Sequence, residues 1–287
     1  MRKVKIVTDS TADLSAELVE RYDVDIVPLA VHLGEDEYKD GVDIKTADVF
    51  AYADKTKTLP KTAAASVAEF EETFKKWIDN DCDVVYMGIG SKLSATYMSA
   101  KLATESLPEG RVQVVDSLNL STGIALLVCK AGDMVKEGKS ADEIAAKLNE
   151  IVPKVRAGFV VDVVDYLYMG GRCSAMANFM AGVLKLRPRL AVKDGVILSD
   201  QKYRGTYERC LMQYTKDIIG GMVDPDKTRV FITRAITPGS DLGDKDAEKV
   251  HAELESLGFG EILHTEAGCV ISSHCGPRTL GILYIEN

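Results

Sequence analysis

The sequence predicts an α/β protein of two domains. A mainly parallel sheet with helices on both faces is expected in residues 1–153, and a mixed α/β domain in 154–287. Three observations carry this. In the first half a strand, a polar turn and a helix follow one another three times, the rhythm of a parallel sheet covered by helices. In the second half short strand candidates come in pairs, with Lys193-Asp194-Gly195 as a hairpin-like turn between two of them. The chain of 287 residues, 46% hydrophobic, is long enough for two ordinary domains and can bury a sizeable core.

Taken in order, residues 4–7 read as a buried strand. Thr8-Asp9-Ser10-Thr11-Ala12-Asp13 is then the turn that caps a helix over 14–21. The run 25–33 is strand-like with Pro28 inside it, which suits an edge or an irregular strand. A short helix is expected over 49–55 and a firmer one over 66–79, capped by Ser66. Strands over 83–88 and 112–115 lead into helices over 94–106 and 121–137. Glu137-Gly138-Lys139-Ser140 breaks the pattern, and a helix over 141–151 precedes Pro153, where the domain boundary is placed. Beyond it, strands are expected over 158–164, 189–192, 196–198, 229–233, 261–264 and 280–285.

Composition narrows the function. The formal charge of −9 disfavours a broad nucleic-acid footprint and adsorption to an anionic bilayer. The start, Met1-Arg2-Lys3-Val4-Lys5, turns polar too soon for a signal peptide. No apolar run approaches the roughly 18 residues of a membrane helix, so stable membrane insertion is not expected. Cys82, Cys129, Cys173, Cys210, Cys269 and Cys275 are scattered without a Cys-x-x-Cys, which supports neither a zinc ribbon nor a redox motif. A cytoplasmic protein with reduced thiols is the expectation.

Loops at the carboxyl ends of strands form the binding crevice of an open α/β sheet. Thr8-Asp9-Ser10, Gly88-Ile89-Gly90-Ser91 and Asp116-Ser117 fall there, either as helix caps or as ligand contacts. Asp9 is suited to tying down neighbouring loop amides. Ser94 opens a helix, where free N–H groups favour an anion. Thr62 reads as a loop residue before the helix at Ser66, and His274 as a loop imidazole held by the turn Cys275-Gly276-Pro277. Hydroxyls and one imidazole suit a carboxylate head group. They also admit a hydrolase or acyl transferase pairing Ser94 with His274 and an acid, Asp9 or Asp116. The local string Gly90-Ser91-Lys92-Leu93-Ser94 lacks the Gly-x-Ser-x-Gly elbow. No metal spacing surrounds Cys269, His274 and Cys275, and Gly170-Gly171-Arg172 does not open a nucleotide loop, so no cofactor is expected. Lys185-Leu186-Arg187-Pro188-Arg189, with Lys202 and Arg204, is a basic cluster in an acidic chain, either a solvated face or a docking surface.

Read together, five ordered segments resemble the DegV family, fatty-acid-binding proteins of bacteria. They are Val7-Thr8-Asp9-Ser10-Thr11-Ala12-Asp13-Leu14, Leu93-Ser94-Ala95-Thr96-Tyr97, Val115-Asp116-Ser117, Tyr166-Leu167-Tyr168-Met169-Gly170-Gly171-Arg172 and Ser273-His274-Cys275-Gly276-Pro277. The resemblance spans essentially the whole chain. It implies one long-chain fatty acid held between two α/β domains, its carboxylate on Thr62, Ser94 and His274, with Ala95 and Arg172 beside the head group. It implies a carrier without a nucleotide site, some relatives presenting the acid to a separate kinase that forms an acyl phosphate. Arg187, Arg189 and Arg204 are the candidates for docking such a kinase. The tail tunnel is expected from Phe159, Val160, Val161, Phe179, Met180, Val183 and Leu184. Three positions depart from the family pattern. Thr62-Ala63-Ala64-Ala65-Ser66 replaces Thr-Ser-Gln-Pro-Ser, Ser94-Ala95-Thr96 replaces Ser-Gly-Thr, and Gly276-Pro277-Arg278 replaces Gly-Pro-Gly. A tail of about 16 carbons gains roughly 0.8 kcal/mol per buried methylene, about 10 kcal/mol gross. Each neutral hydrogen bond to the head adds about 1 kcal/mol net. The tail would supply affinity and the hydroxyls orientation.

Overall fold

The computed structural model describes residues 2–173, 186–236 and 239–287. Strands β1 (Lys3–Asp9), β2 (Val24–Val27), β6 (Cys82–Gly88) and β7 (Val112–Asp116) form a parallel sheet in the order β2-β1-β6-β7. Alternate residues serve opposite faces. Ile6, Val85 and Met87 pack with helices α5 (Thr122–Lys136) and α6 (Ala141–Ile151). Val7, Val84 and Tyr86 pack with α3 (Val67–Asp79) and α4 (Thr96–Ala103). Helices thus cover both faces, which is why these strands read as continuous apolar runs.

The run 25–33 is not one strand. Pro28 has no N–H for the ladder, and the chain leaves the parallel sheet after Val27. It re-forms as β3 (Ala30–Leu33) in a second, antiparallel sheet of order β4-β3-β5, with β4 at Asp36–Lys39 and β5 at Lys61–Ala63. Thr62 therefore sits on a strand, opposite Val31, and not in a loop. Helix α1 (Ala16–Tyr22) starts later than expected because Ser15, not the Asp9 turn, caps it: its hydroxyl accepts from Leu18 N–H. Helix α2 (Thr46–Thr56) and the Ser66 cap of α3, with Glu69 completing a capping box, follow the sequence closely.

The second half contains a six-stranded sheet, order β10-β9-β8-β13-β11-β12. Its strands are β8 (Val155–Val160), β9 (Leu186–Lys193), β10 (Val196–Arg204), β11 (Pro225–Arg234), β12 (Glu261–Glu266) and β13 (Leu280–Glu286). Only β11 and β12 pair in parallel; β9 and β10 form the expected hairpin about Asp194-Gly195. Strand β8 ends at Val160, earlier than the expected 164, and the chain turns into α7 (Asp165–Gly170). Helices α7, α8 (Tyr207–Gly221), α9 (Leu242–Glu255) and α10 (Cys269–Cys275) were not anticipated. For α8 the signal was present: Thr206 caps it, and Tyr207, Cys210, Leu211 and Tyr214 bury one face at helical spacing.

Helix α5 decides the architecture. It packs on β1 and β6 on one side and on β8, β11 and β13 on the other. That explains why Ile124, Leu126, Leu127 and Val128 are all fully buried, around the helix and not along one stripe. Among the described residues no helix is long and apolar enough to cross a membrane. The six cysteines are buried, and none forms a disulfide among the described residues.

Candidate functional site

The site is organised by α10, a seven-residue helix without a side-chain cap of its own. Two acids from the first half hold its N-terminus. Asp13 accepts from Gly268 N–H at 2.8 Å and from the Ser121 hydroxyl. Asp40 accepts from Cys269 N–H at 2.8 Å and from Val270 N–H at 3.3 Å. Burial pushes the carboxyl of Asp40 above its ordinary range and that of Asp13 well above it. These contacts satisfy donors that a helix start otherwise leaves orphaned. The helix ends at Gly276 with φ +77°, and a Cβ there would meet the Tyr166 ring at 2.8 Å, so glycine is required twice over.

His274 lies in the last turn of α10, not in a loop. Its Nε2 is 2.8 Å from the Thr62 hydroxyl on β5. Its Nδ1 is buried without a hydrogen-bond partner among the described residues and faces Gly170, where a Cβ would fall 2.5 Å away. Burial, reinforced by the positive charge of Arg172, lowers the imidazole pKa to about 4. It is therefore neutral at neutral pH.

Two lobes of cavity space meet at this imidazole, sharing His274, Leu120, Ile197 and Ile271 as walls. One, about 500 Å³ and named the head lobe for its polar groups, carries Thr62, Ser94 and Arg172. The other, about 530 Å³, is apolar, with Phe159, Leu167, Ala267, Gly281 and Leu283 among its walls. Phe159, Gly281 and Leu283 come from one face of the second sheet, where a glycine leaves the wall thin.

Ser94 does not begin a helix. Helix α4 starts at Thr96, and the Ser94 hydroxyl accepts from Thr96 N–H at 3.2 Å while pairing with the Thr96 hydroxyl at 2.9 Å. Ser94 and His274 share no hydrogen bond. Asp9 is occupied by Thr11 N–H, Ile89 N–H and the Tyr86 hydroxyl, and Asp116 by Ser91 N–H and Leu118 N–H. Among the described residues no acid–imidazole–hydroxyl relay is assembled. Instead these acids brace the loop that brings Ile89, Leu93 and Ser94 to the head lobe.

The remaining expected residues divide clearly. Arg172 lines the head lobe and donates to Gly170 C=O at 2.8 Å; Ala95 is exposed and lines neither lobe. Phe159 lines the apolar lobe, while Val160 and Val161 are buried in core and line neither. Phe179, Met180, Val183 and Leu184 lie outside the described residues. Arg187 is paired with Asp162 and Arg189 with Asp200, whereas Arg204 is exposed. Of the family departures, Ala63 and Ala64 line the head lobe. Arg278 takes φ +57°, where glycine is usual, and is held by Glu208, Asp246 and the Tyr207 ring. The grip of Asp13 and Asp40 on α10 is not legible in the sequence, because the amides they hold are more than 200 residues away along the chain.

Fold and site define an α/β protein with an apolar pocket and a hydroxyl-lined pocket that share one buried imidazole as a wall. The chain belongs to the DegV family: the family model described as "Uncharacterised protein, DegV family" matches residues 3–287. A DegV domain-containing protein of Caldanaerobacter subterraneus is 33% identical over 288 residues, covering all of both chains. The solved structure titled as fatty acid binding of a DegV family protein from Thermus thermophilus has a TM-score of 0.87 at 29% identity, again covering both chains fully. A stearic acid-binding protein from Eubacterium ventriosum has a TM-score of 0.83 at 29% identity, covering 100% of this chain and 98% of its own.

Proposed function

We propose that this protein is a non-catalytic carrier that binds one long-chain fatty acid. The tail lies in the apolar lobe and the carboxyl group meets Thr62, Ser94 and His274. The ligand sits between residues 1–153 and 154–287, which we take as the two domains. One observation carries the reading: an apolar lobe and a hydroxyl-lined lobe meet at a single imidazole, the polarity pattern of a fatty acid. The fatty acids named for the Thermus and Eubacterium relatives support it. We place the protein in the cytoplasm, and presentation of the acid to a partner kinase is the wider role. Arg172 at the head lobe and exposed Arg204 are then the arginines open to such a partner. Arg187 and Arg189 would first have to leave Asp162 and Asp200.

Native mass spectrometry of freshly purified protein, with lipid extraction from the same sample, tests this reading. The expected result is an added mass equal to one fatty acid. It should disappear when Thr62→Val, Ser94→Ala and His274→Gln are combined. A protein that carries no fatty acid and takes up none when it is supplied would remove the proposal and leave the fold intact. The tail assignment has its own check. Leu283→Trp adds bulk to the apolar lobe, so the preferred acid should become shorter by several carbons. An unchanged chain-length profile in competition binding would place the tail elsewhere.

A further inference from the structure

We propose that the head lobe takes its ligand as the protonated acid, a neutral carboxyl group beside a neutral His274, so that binding at neutral pH draws one proton from solution. The inference rests on reading this site as a fatty-acid pocket, and concerns the chemical form it accepts.

The geometry at His274 argues against an imidazolium–carboxylate pair. Protonating the ring would place an N–H on Nδ1, which is buried, has no hydrogen-bond partner among the described residues and is boxed against Gly170. A buried charged donor without an acceptor is costly, whereas a bare imidazole lone pair in the same place costs less. The neutral tautomer that fits carries its proton on Nε2, facing the Thr62 hydroxyl and the head lobe.

Charges around the ring point the same way. The elements packed on α10 bring Asp48, Asp54 and Lys55 on α2, and Asp165, Tyr166 and Arg172 on or after α7. They also bring His32 on β3, Lys61 on β5, and Asp13 and Asp40 at the far end of the helix; Cys275 is its neighbour in sequence. Of these, only Arg172 acts on the imidazole, and it opposes a second positive charge. Burial opposes it too, consistent with an imidazole pKa of about 4.

An arriving carboxylate would also lack a buried counter-ion. Thr62 and Ser94 offer neutral hydroxyls. Arg172, the one cation lining this lobe among the described residues, is exposed and already gives an N–H to the Gly170 carbonyl, so it offsets the cost of burying a carboxylate only in part. A carboxyl group moved into such a site holds its proton above its ordinary pKa of about 4. In this form it is a poor nucleophile, so storage and any later reaction call for different protonation states.

The test uses decanoic acid labelled with ¹³C at the carboxyl carbon, bound to the full-length protein and followed by NMR from pH 6 to pH 9. The bound carbon should resonate at its acid-form position at pH 7.5. Affinity for total decanoate should fall about tenfold per pH unit from pH 6 to pH 7.5, between the ordinary carboxyl pKa and that of the bound acid, the slope of one coupled proton. A bound signal at the carboxylate position, or an affinity independent of pH, overturns the proposal while leaving fatty-acid binding in place. No bound signal with decanoic or longer acids overturns the fatty-acid reading itself, and this inference with it.

Discussion

Asp9→Ala is expected to lower the unfolding free energy by about 3–5 kcal/mol, measured by urea denaturation at pH 7.5. Asp9 is wholly buried at the end of β1, where it accepts from Thr11 N–H at 3.0 Å, Ile89 N–H at 2.8 Å and the Tyr86 hydroxyl at 2.8 Å. Removing the carboxyl leaves these donors in a dry interior, each costing about 1–3 kcal/mol before the structure relaxes. The Gly88 backbone lies so close that a Cβ there would overlap both Asp9 and Tyr86, so the loop has little room to collapse. Asp9→Asn keeps an acceptor and should lose less than half as much. Equal losses for the two variants would mean that the cavity, and not the orphaned donors, sets the cost. Ile89 lines the head lobe, so the alanine variant that remains folded should also bind fatty acid more weakly.

Gly170→Val is expected to weaken fatty-acid binding by about 10- to 100-fold with a much smaller effect on stability. A Cβ at this position falls 2.5 Å from His274 Nδ1, so the ring must move and the 2.8 Å contact with Thr62 is lost. The ceiling follows from magnitudes. Head-group hydrogen bonds contribute about 1 kcal/mol each, so disrupting two of them costs roughly 2–3 kcal/mol, close to 100-fold. The apolar lobe is untouched and retains the larger share of affinity. Gly170→Ala should show a partial effect, because a methyl displaces the ring less than an isopropyl group does. Isothermal titration with a long-chain acid reads both variants. Wild-type affinity in a folded Gly170→Val protein would show that His274 takes no part in holding the head group.

Much of this fold was written locally. The alternation of strand and helix in the first half follows from apolar runs bounded by caps such as Ser66 and Ser140, whose hydroxyls close capping boxes with Glu69 and Glu143. The hairpin at Asp194-Gly195 follows from its turn residues. The helices of the second half were missed for different reasons. Helix α10 is seven residues long and has no cap of its own, so nothing local marks its start. Helix α8 does carry both a cap and a periodic apolar face, but it lies between strand-like runs that mask the helical period.

The candidate site shows the same division. Thr62, Ser94 and His274 were picked out as residue types suited to a carboxyl group, and a family resemblance put them in one place. Residue type alone did not say that Thr62 sits on a strand, that His274 ends a helix, or that Ala95 faces solvent. The sequence by itself determined what is local: strand and helix periods, caps, the hairpin turn, and the family those segments match. Only the tertiary structure decided that α5 lies between two sheets, that Asp13 and Asp40 hold a helix start far away along the chain, and that His274 is neutral. The physical reason is range. Caps and periodicity act within a few residues, whereas burial and charge are set by whatever the folded chain brings alongside.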